Sequence, residues 1–204
     1  MPRNLLPCFD RLETIVLDFD GTLVDSISAY CAVYSVRYGH HRDFVFPDPE
    51  KVTQWDLKDQ CPLESNPESV FKDPLFFEFL VPYKGALAFL EEAKKEYDVW
   101  VCSIGTPGNI ILKTEWVKKC LHHDQMIMIA KTGASMGKDF VYFDNAVIVD
   151  DHQKNLCTSR IRKKICFGKE YEWNKEWEGF RAYNMQDLSD LLLRKELQLD
   201  RKVS

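Results

Sequence analysis

Residues 12–25 read LETIVLDFDGTLVD, and this stretch decides the fold. Residues 15–17 form a short apolar run rich in β-branched side chains, which is typical of a strand buried on both faces of a parallel sheet. The run ends at Asp18, Asp20 follows two residues later, and Gly21 allows a sharp turn. Two carboxylates at the tip of a buried strand predict a site for a divalent cation and a phosphoryl group, where one acid attacks phosphorus and the other moves a proton.

The same residues admit two other interpretations, an acidic turn without chemistry and a calcium-binding loop. A calcium loop places glycine at its sixth position and glutamate at its twelfth. Counted from Asp18, Gly21 is the fourth residue and Ala29 is the twelfth. The pattern therefore favours the phosphoryl-transfer site.

Composition indicates a soluble globular protein. The chain has 204 residues, of which 45% are hydrophobic and 29% are charged, enough for one sizeable domain with a small insertion. The net charge of −5 argues against a nucleic-acid polymer as partner. Seven cysteines without a CxxC pair, no signal peptide and no membrane-length apolar run lead us to expect a cytoplasmic protein that does not bind a membrane.

The segment after the first strand changes character along the chain. Residues 24–38 have helical spacing, whereas residues 43–82 contain six prolines and many aromatics, which excludes one long helix. We predict a small helical cap over residues 39–82, whose helices can begin within 24–38. The α/β core then consists of residues 1–38 and 83–204.

The remainder of the chain alternates strand-like and helix-like segments. Apolar runs at residues 98–103, 126–130 and 146–149 predict strands, and residues 85–97 and 109–121 predict amphipathic helices. Such alternation predicts a three-layer α/β fold, in which helices cover a parallel sheet and the site lies at the carboxyl ends of the strands.

Polar residues follow the later strands where a phosphate site would need them. Ser103 ends the second strand before a glycine-containing turn and can offer its hydroxyl to a phosphate. Asp150 and Asp151 end the fourth strand. Two lysines precede this strand; we favour Lys138, which leads towards the acidic tip, and Lys131 is the alternative.

The acids together predict a magnesium site. Mg²⁺ prefers octahedral oxygen coordination, and the candidate ligands are Asp18, Asp20 and Asp150. The cation offsets the repulsion between the attacking carboxylate and the phosphate, and the lysine offsets further charge. Asp151 is expected to orient this shell or to bind a metal-bound water.

The sequence DFDGT at residues 18–22, followed in order by Ser103, a lysine and the Asp150–Asp151 pair, resembles the four motifs of the haloacid dehalogenase superfamily. The resemblance implies a Rossmann-like parallel sheet with a small helical cap. It also implies that Asp18 is a nucleophile that forms an aspartyl-phosphate. Asp20 would then be the general acid and base, and would give the metal its backbone carbonyl.

A narrower resemblance, to the 5′(3′)-deoxyribonucleotidase family, is carried by five segments: residues 74–92, 101–103, 112–121, 137–155 and 171–192. It implies magnesium-dependent hydrolysis of (deoxy)nucleoside monophosphates and a protein that often forms homodimers. Ser103 and Lys138 would bind phosphate, and Asp150 would bind the metal. Phe77 would line the pocket for the base and sugar.

Two departures from that family concern the substrate. Where the family continues Thr-Ser-Pro, this chain has Ser103-Ile104-Gly105, which loses one phosphate-side hydroxyl. Better-known members carry an aromatic residue where this chain has Ser26, so we expect the aromatic wall around the base to be thinner or to be built from elsewhere, such as Trp55. The alternatives are a phosphatase for another small ester, such as a sugar phosphate, and a non-catalytic nucleotide-binding relative, which the intact acidic set disfavours.

Overall fold

The computed structural model describes residues 11–131 and 137–193. Within them, six parallel strands form one sheet in the order β3-β2-β1-β4-β5-β6. The strands are β1 (Thr14–Asp18), β2 (Asp98–Gly105), β3 (Met126–Ala130), β4 (Ala146–Asp150), β5 (Lys163–Phe167) and β6 (Phe180–Ala182).

Helices follow the strands and cover the sheet. They are α1 (Ser26–Tyr38), α2 (Pro67–Val70), α3 (Pro74–Phe79), α4 (Ala86–Ala93), α5 (Pro107–Trp116), α6 (Gln153–Thr158) and α7 (Met185–Leu192), with a 3₁₀ helix at Pro49–Lys51 and a π-helical turn at Val117–Leu121. None of the described helices combines the length and the apolar composition needed to cross a bilayer.

The central strand β1 is buried along its whole length, and its side chains alternate between two hydrophobic clusters. Ile15 and Leu17 join the cluster that contains residues of α4, α5 and α7. Val16 joins the other cluster, on the side of α6. Because consecutive strand residues point to opposite faces, the two clusters are the two interior layers of a helix–sheet–helix sandwich. The predicted three-layer α/β fold is confirmed.

The helical segments after β1 pack together. Helix α1 packs against α2 and α3, and proline occupies the first turn of both α2 and α3. Proline suits that position because its missing N–H would have no partner there. Arg37 of α1 ties the group together through ion pairs with Glu64 at 2.8 Å and Asp73 at 2.7 Å.

The chain leaves the sheet for these helices and returns to it at adjacent points. The N–H of Asp25 donates to the carbonyl of Val81 (3.0 Å), and the N–H of Tyr83 donates to the carbonyl of Leu23 (2.9 Å). The two crossings therefore lie side by side, at the two ends of residues 26–80, which are called the inserted segment below.

The structure adds two strands that the sequence analysis did not predict. Strand β5 begins with Lys163 and Lys164, and β6 contains only three residues. Neither presents the apolar run that revealed the other four strands. They extend the sheet beyond β4, away from β1.

Candidate active site

The register of the sheet brings Asp18 and Asp150 to one edge. Asp18 is paired with Cys102 of β2, and Leu17 is paired with Val149 of β4, which directly precedes Asp150. Both carboxylates are buried, Asp18 at 6% and Asp150 at 0% exposure. The parallel arrangement thus places the tips of β1, β2 and β4 at the same level.

Lys138 lies between these two carboxylates. Its Nζ donates to Asp18 Oδ1 at 2.5 Å and to Asp150 Oδ2 at 2.6 Å. Burial alone lowers the pKa of Lys138, but the Asp150 and Asp18 charges outweigh it and raise that pKa above its usual value. Lys131, the alternative lysine, is exposed at the mouth of the cavity.

Asp150 is fully engaged by the protein itself. Its Oδ1 accepts hydrogen bonds from the backbone N–H of His152 (2.8 Å) and from Asn155 Nδ2 (3.1 Å), while Oδ2 accepts from Lys138. Asp18, Asp150 and Asp151 form a cluster in which one carboxylate oxygen from each lies within 4.8 Å of the others. Both oxygens of Asp150 are therefore occupied. Among the described residues, Asp18 accepts a hydrogen bond at Oδ1 from Lys138 and Asp151 accepts one at Oδ2 from Trp173, so each of these two carboxylates has a second oxygen with more capacity for a cation.

Burial and like charge raise the pKa values of two members of this cluster. Desolvation first, and then the Asp150 charge, raise the pKa of Asp18 to about 7, although Lys138 opposes the shift. The pKa of Asp151 is also well above its ordinary value, mainly through burial and the neighbouring Asp150 and Asp18. Three carboxylates around one ammonium leave an excess of negative charge, and a divalent cation fits that excess.

Asp20 lies beside a lysine that the sequence analysis did not assign to the site. Lys113 of α5 is only 2% exposed and donates to the Asp20 carboxylate, to Ser103 Oγ at 2.9 Å and to the carbonyl of Ile104 at 3.3 Å. A buried lysine is nearly always paired, and here the pairing partners are two predicted site residues, Asp20 and Ser103. Lys113 therefore ties these two residues together. A lysine on a helix is usually solvated, so its spacing alone gave no signal.

The start of α5 supplies a second hydroxyl. Thr106 lines the cavity, and its buried Oγ1 has no hydrogen-bond partner among the described residues. Relative to the family it resembles, the chain lacks a hydroxyl at position 104, and Thr106 follows two residues later. The first turn of α5 presents Asn109, whose Nδ2 donates to the carbonyl of Phe71 at 2.6 Å.

A cavity of about 350 Å³ lies over these groups. Asp18, Asp20 and Lys113 line it together with aromatic residues from both sides: Trp55 and Phe71 from the inserted helical segment, and Tyr83, Tyr171 and Trp173 from the core. The cavity thus joins a charged floor to partly aromatic walls, which suits a phosphate ester with a planar substituent.

The two predicted substrate-binding residues have different positions. Trp55 lines the cavity, is 57% exposed, and contacts His152 and Trp173 edge to face at ring-centroid distances of 4.8 and 5.4 Å. The structure places Phe77 against the hydrophobic core, where its carbonyl accepts a hydrogen bond from Trp116. Phe71 is the nearby aromatic that lines the cavity.

Comparison with known families gives a match over most of the chain. The model of the family described as 5′ nucleotidase, deoxy (Pyrimidine), cytosolic type C protein matches residues 12–198. That match covers every strand and helix described above. Among curated proteins, none matches the chain significantly.

Solved structures share the fold at low sequence identity. A candidate phosphatase from Clostridium difficile has a TM-score of 0.64 and 16% identity, over 90% of this chain and 99% of that one. A HAD-superfamily hydrolase from Geobacter sulfurreducens has a TM-score of 0.55 and 11% identity, over 89% and 97%. CbbY from Rhodobacter sphaeroides, solved with phosphate, has a TM-score of 0.56 and 16% identity, over 87% and 96%. At these identities the likeness shows the fold.

Proposed function

Since the chain belongs to the family of 5′-nucleotidases described as deoxy (pyrimidine), cytosolic type C, we propose that it hydrolyses (deoxy)nucleoside monophosphates with Mg²⁺ through an aspartyl-phosphate on Asp18. Membership makes the chain a phosphomonoesterase of the haloacid dehalogenase superfamily. The observation that carries the proposal is the placement of Asp18 at the floor of the cavity, against Lys138 and the Asp150–Asp151 pair.

The proposed magnesium ligands are the Asp18 and Asp151 carboxylates and, as the family resemblance implies, the backbone carbonyl of Asp20. The predicted ligand Asp150 belongs to the same acidic cluster, but its oxygens hold Lys138 and the chain after β4, so we give it the role of positioning that lysine. When bound, Mg²⁺ would supply positive charge that lets an ionised Asp18 approach a phosphate dianion.

In the proposed first step, a carboxylate oxygen of Asp18 attacks phosphorus and the ester P–O bond breaks. Asp20 donates a proton to the leaving oxygen, so that an alcohol departs. Asp20 Oδ1 suits this role, because it is buried and has no hydrogen-bond partner in the described part of the chain, while Lys113 holds Oδ2. In the second step, water loses a proton to Asp20 and attacks phosphorus, which releases inorganic phosphate and restores Asp18.

Four groups would hold the transferred phosphoryl group. Lys138 and Lys113 supply two positive charges, and Ser103 and Thr106 supply hydroxyls. The Ser103 oxygen accepts from Lys113, which leaves its proton free to be donated to a phosphoryl oxygen. The unpartnered Thr106 hydroxyl would take the place of the hydroxyl that the family carries one residue after Ser103.

The nucleoside is proposed to contact the aromatic walls. Trp55 and Phe71 face the cavity from the inserted segment, and base rings stack favourably on aromatic side chains. Phe77, predicted from the family resemblance, is not among the described residues that line this cavity, whereas Phe71 is, so Phe71 takes its place in the proposal. The cytoplasmic location also belongs to the proposal, and six free cysteines in the described residues agree with it.

The test is a panel of phosphate esters assayed with Mg²⁺: pyrimidine and purine deoxynucleotides, ribonucleotides, sugar phosphates and glycerol phosphate. We expect the highest kcat/KM for nucleotides. We expect Trp55→Ala to raise KM for nucleotides at least several-fold while leaving glycerol phosphate hydrolysis unchanged. Preferential turnover of sugar phosphates, unaffected by Trp55→Ala, would replace nucleotides with the alternative substrate class.

A further inference from the structure

The loop between β5 and β6 reaches the acidic cluster although none of its residues belongs to the catalytic set. It is organised by Asn174, which is fully buried. Asn174 Oδ1 accepts from the backbone N–H of Tyr171 at 2.9 Å, and Nδ2 donates to the carbonyl of Asp151 at 2.9 Å. Arg181 of β6 fixes the loop from the other side by donating to the Asn174 carbonyl at 2.7 Å. The loop is therefore tied to the backbone of Asp151.

The residue before Asn174 extends this tie to the Asp151 carboxylate. The indole Nε1 of Trp173 donates to Asp151 Oδ2 at 3.1 Å. The Trp173 ring is held in turn by Tyr171, which stacks on it at a centroid distance of 4.1 Å and an interplanar angle of 7°. A donor fixed in this way leaves the carboxylate little rotational freedom.

A close backbone approach encloses the same oxygen. Gly21 has a φ of +67°, and a Cβ added there would lie 2.6 Å from Asp151 Oδ2. Gly21 and Trp173 therefore surround Oδ2, which leaves Oδ1 as the oxygen that can turn to a cation shared with Asp18. The carboxylate is thus oriented before any ligand arrives.

We propose that Trp173 is a positioning residue for the metal site, whose indole N–H holds Asp151 in the orientation that binds Mg²⁺. This inference rests on the proposed function, since it assumes Asp151 as a ligand. Hydrogen bonds from outside the ligand shell fix ligand orientation, and losing one typically weakens metal binding by roughly 10–100-fold. Burial of the Asp151 side chain makes the alternative, donation from bulk water, a poor substitute.

The test compares Trp173→Phe with Trp177→Phe. Trp173→Phe keeps an aromatic ring against Tyr171 but removes the donor to Asp151. Trp177 lies in the same loop and donates its indole N–H to the backbone carbonyl of Phe180 at 2.9 Å, so its phenylalanine variant is a matched control. The readout is the dissociation constant of Mg²⁺ alone, measured by calorimetry without substrate, together with the thermal unfolding midpoint.

We expect Trp173→Phe to bind Mg²⁺ about 10–100-fold more weakly than wild type, and Trp177→Phe to bind it as wild type does. If Trp173→Phe does not fold, Trp173→Leu, which also lacks the donor, carries the same expectation. If the wild-type protein binds Mg²⁺ and a folded Trp173→Phe or Trp173→Leu variant binds it with equal affinity, the proposed role of Trp173 is overturned and the metal site stands. A wild-type protein that binds no Mg²⁺ would overturn the proposed metal site as well.

Discussion

The ammonium group of Lys113 donates a hydrogen bond to the carboxylate of Asp20, which precedes it by 93 positions in the chain. Lys113 therefore joins helix α5 to the turn after β1. The same ammonium group contacts Ser103, so it links the proposed proton donor with a proposed phosphate ligand.

Replacing Lys113 tests this link. We expect Lys113→Met, which keeps the length of the side chain but not its charge, to lower kcat by roughly 10²–10³-fold, because one fixed donor to the transition-state charge is lost. Steady-state kinetics with a nucleotide substrate measures the change. Lys118→Met alters an exposed lysine in the turn that follows α5 and should keep wild-type activity. A Lys113→Met enzyme within threefold of wild type would show that the ammonium group takes no part in turnover.

The nucleophile and the acid should have separable effects. Asp18→Asn should abolish turnover in a folded protein, because an amide does not attack phosphorus. Asp20→Asn should slow the reaction most for esters whose leaving group is a poor one, because these need the proton. Rates for a series of aryl and alkyl phosphates, with circular dichroism to verify folding, measure both effects. An Asp18→Asn protein that turned over at the wild-type rate would contradict the covalent mechanism.

The raised pKa of Asp18 predicts how the metal-free protein responds to pH. Its folded pKa of about 7 exceeds the ordinary 3.8, so the folded state binds the extra proton. The corresponding stability is present below pH 3.8 and is lost as pH rises through 7. From pH 6 to 8 we expect Asp18 to remove on the order of 1 kcal/mol from the free energy of unfolding.

Urea unfolding in a chelator at pH 6 and pH 8 measures this loss. Asp18→Asn serves as the control, because its amide does not titrate, and its stability should decline less than that of wild type. Adding Mg²⁺ should restore wild-type stability at pH 8. Equal declines in the two proteins would show that Asp18 is already ionised at pH 6.

Gly105, at the cavity wall, and Gly108 lie close together in the chain, but only one of them has a neighbour that an added side chain would strike. A Cβ on Gly105 would lie 2.1 Å from Asn109 Oδ1, whereas a Cβ on Gly108 meets nothing within 4 Å. We expect Gly105→Ala to displace Asn109 and break its hydrogen bond to Phe71, at a cost of about 1–3 kcal/mol in stability. KM should rise as the wall loosens.

Thermal unfolding and KM measure the effect of Gly105→Ala. Gly108→Ala should keep the wild-type KM and be at least as stable as wild type, because alanine suits a helix better than glycine does. If the two alanine variants behaved alike, the Asn109–Phe71 contact would have no role in holding the inserted segment.

Those strands and helices that are marked by a local pattern in the sequence could be predicted. The apolar run before Asp18 predicts a buried strand because a central parallel strand needs apolar side chains on both faces. Strands β5 and β6 lie towards the edge of the sheet, where lysines are tolerated and three residues suffice, so no such pattern marks them.

The site residues also fall into those that the sequence predicts and those that it does not. Residues at strand tips, such as Asp18 and Asp150, are brought together by the topology alone, and that much could be predicted. Lys113 could not, because its role depends on which face α5 turns towards the sheet. Phe71 directly follows α2 and Phe77 lies within α3, and sequence spacing does not fix the direction in which such short helices turn their aromatic rings.

The hydrogen bond between Tyr83 and Leu23 holds together the two ends of the inserted segment, and this affects how easily the segment can be replaced by another. For the sheet, the inserted helices amount to one long loop whose two ends are already in contact. Closing a longer or shorter loop between fixed ends changes the entropy only logarithmically with its length. In the proposed function this segment supplies Trp55 and Phe71 to the substrate wall. We therefore expect that exchanging the segment would change substrate choice and leave the proposed phosphoryl chemistry of the strand tips in place.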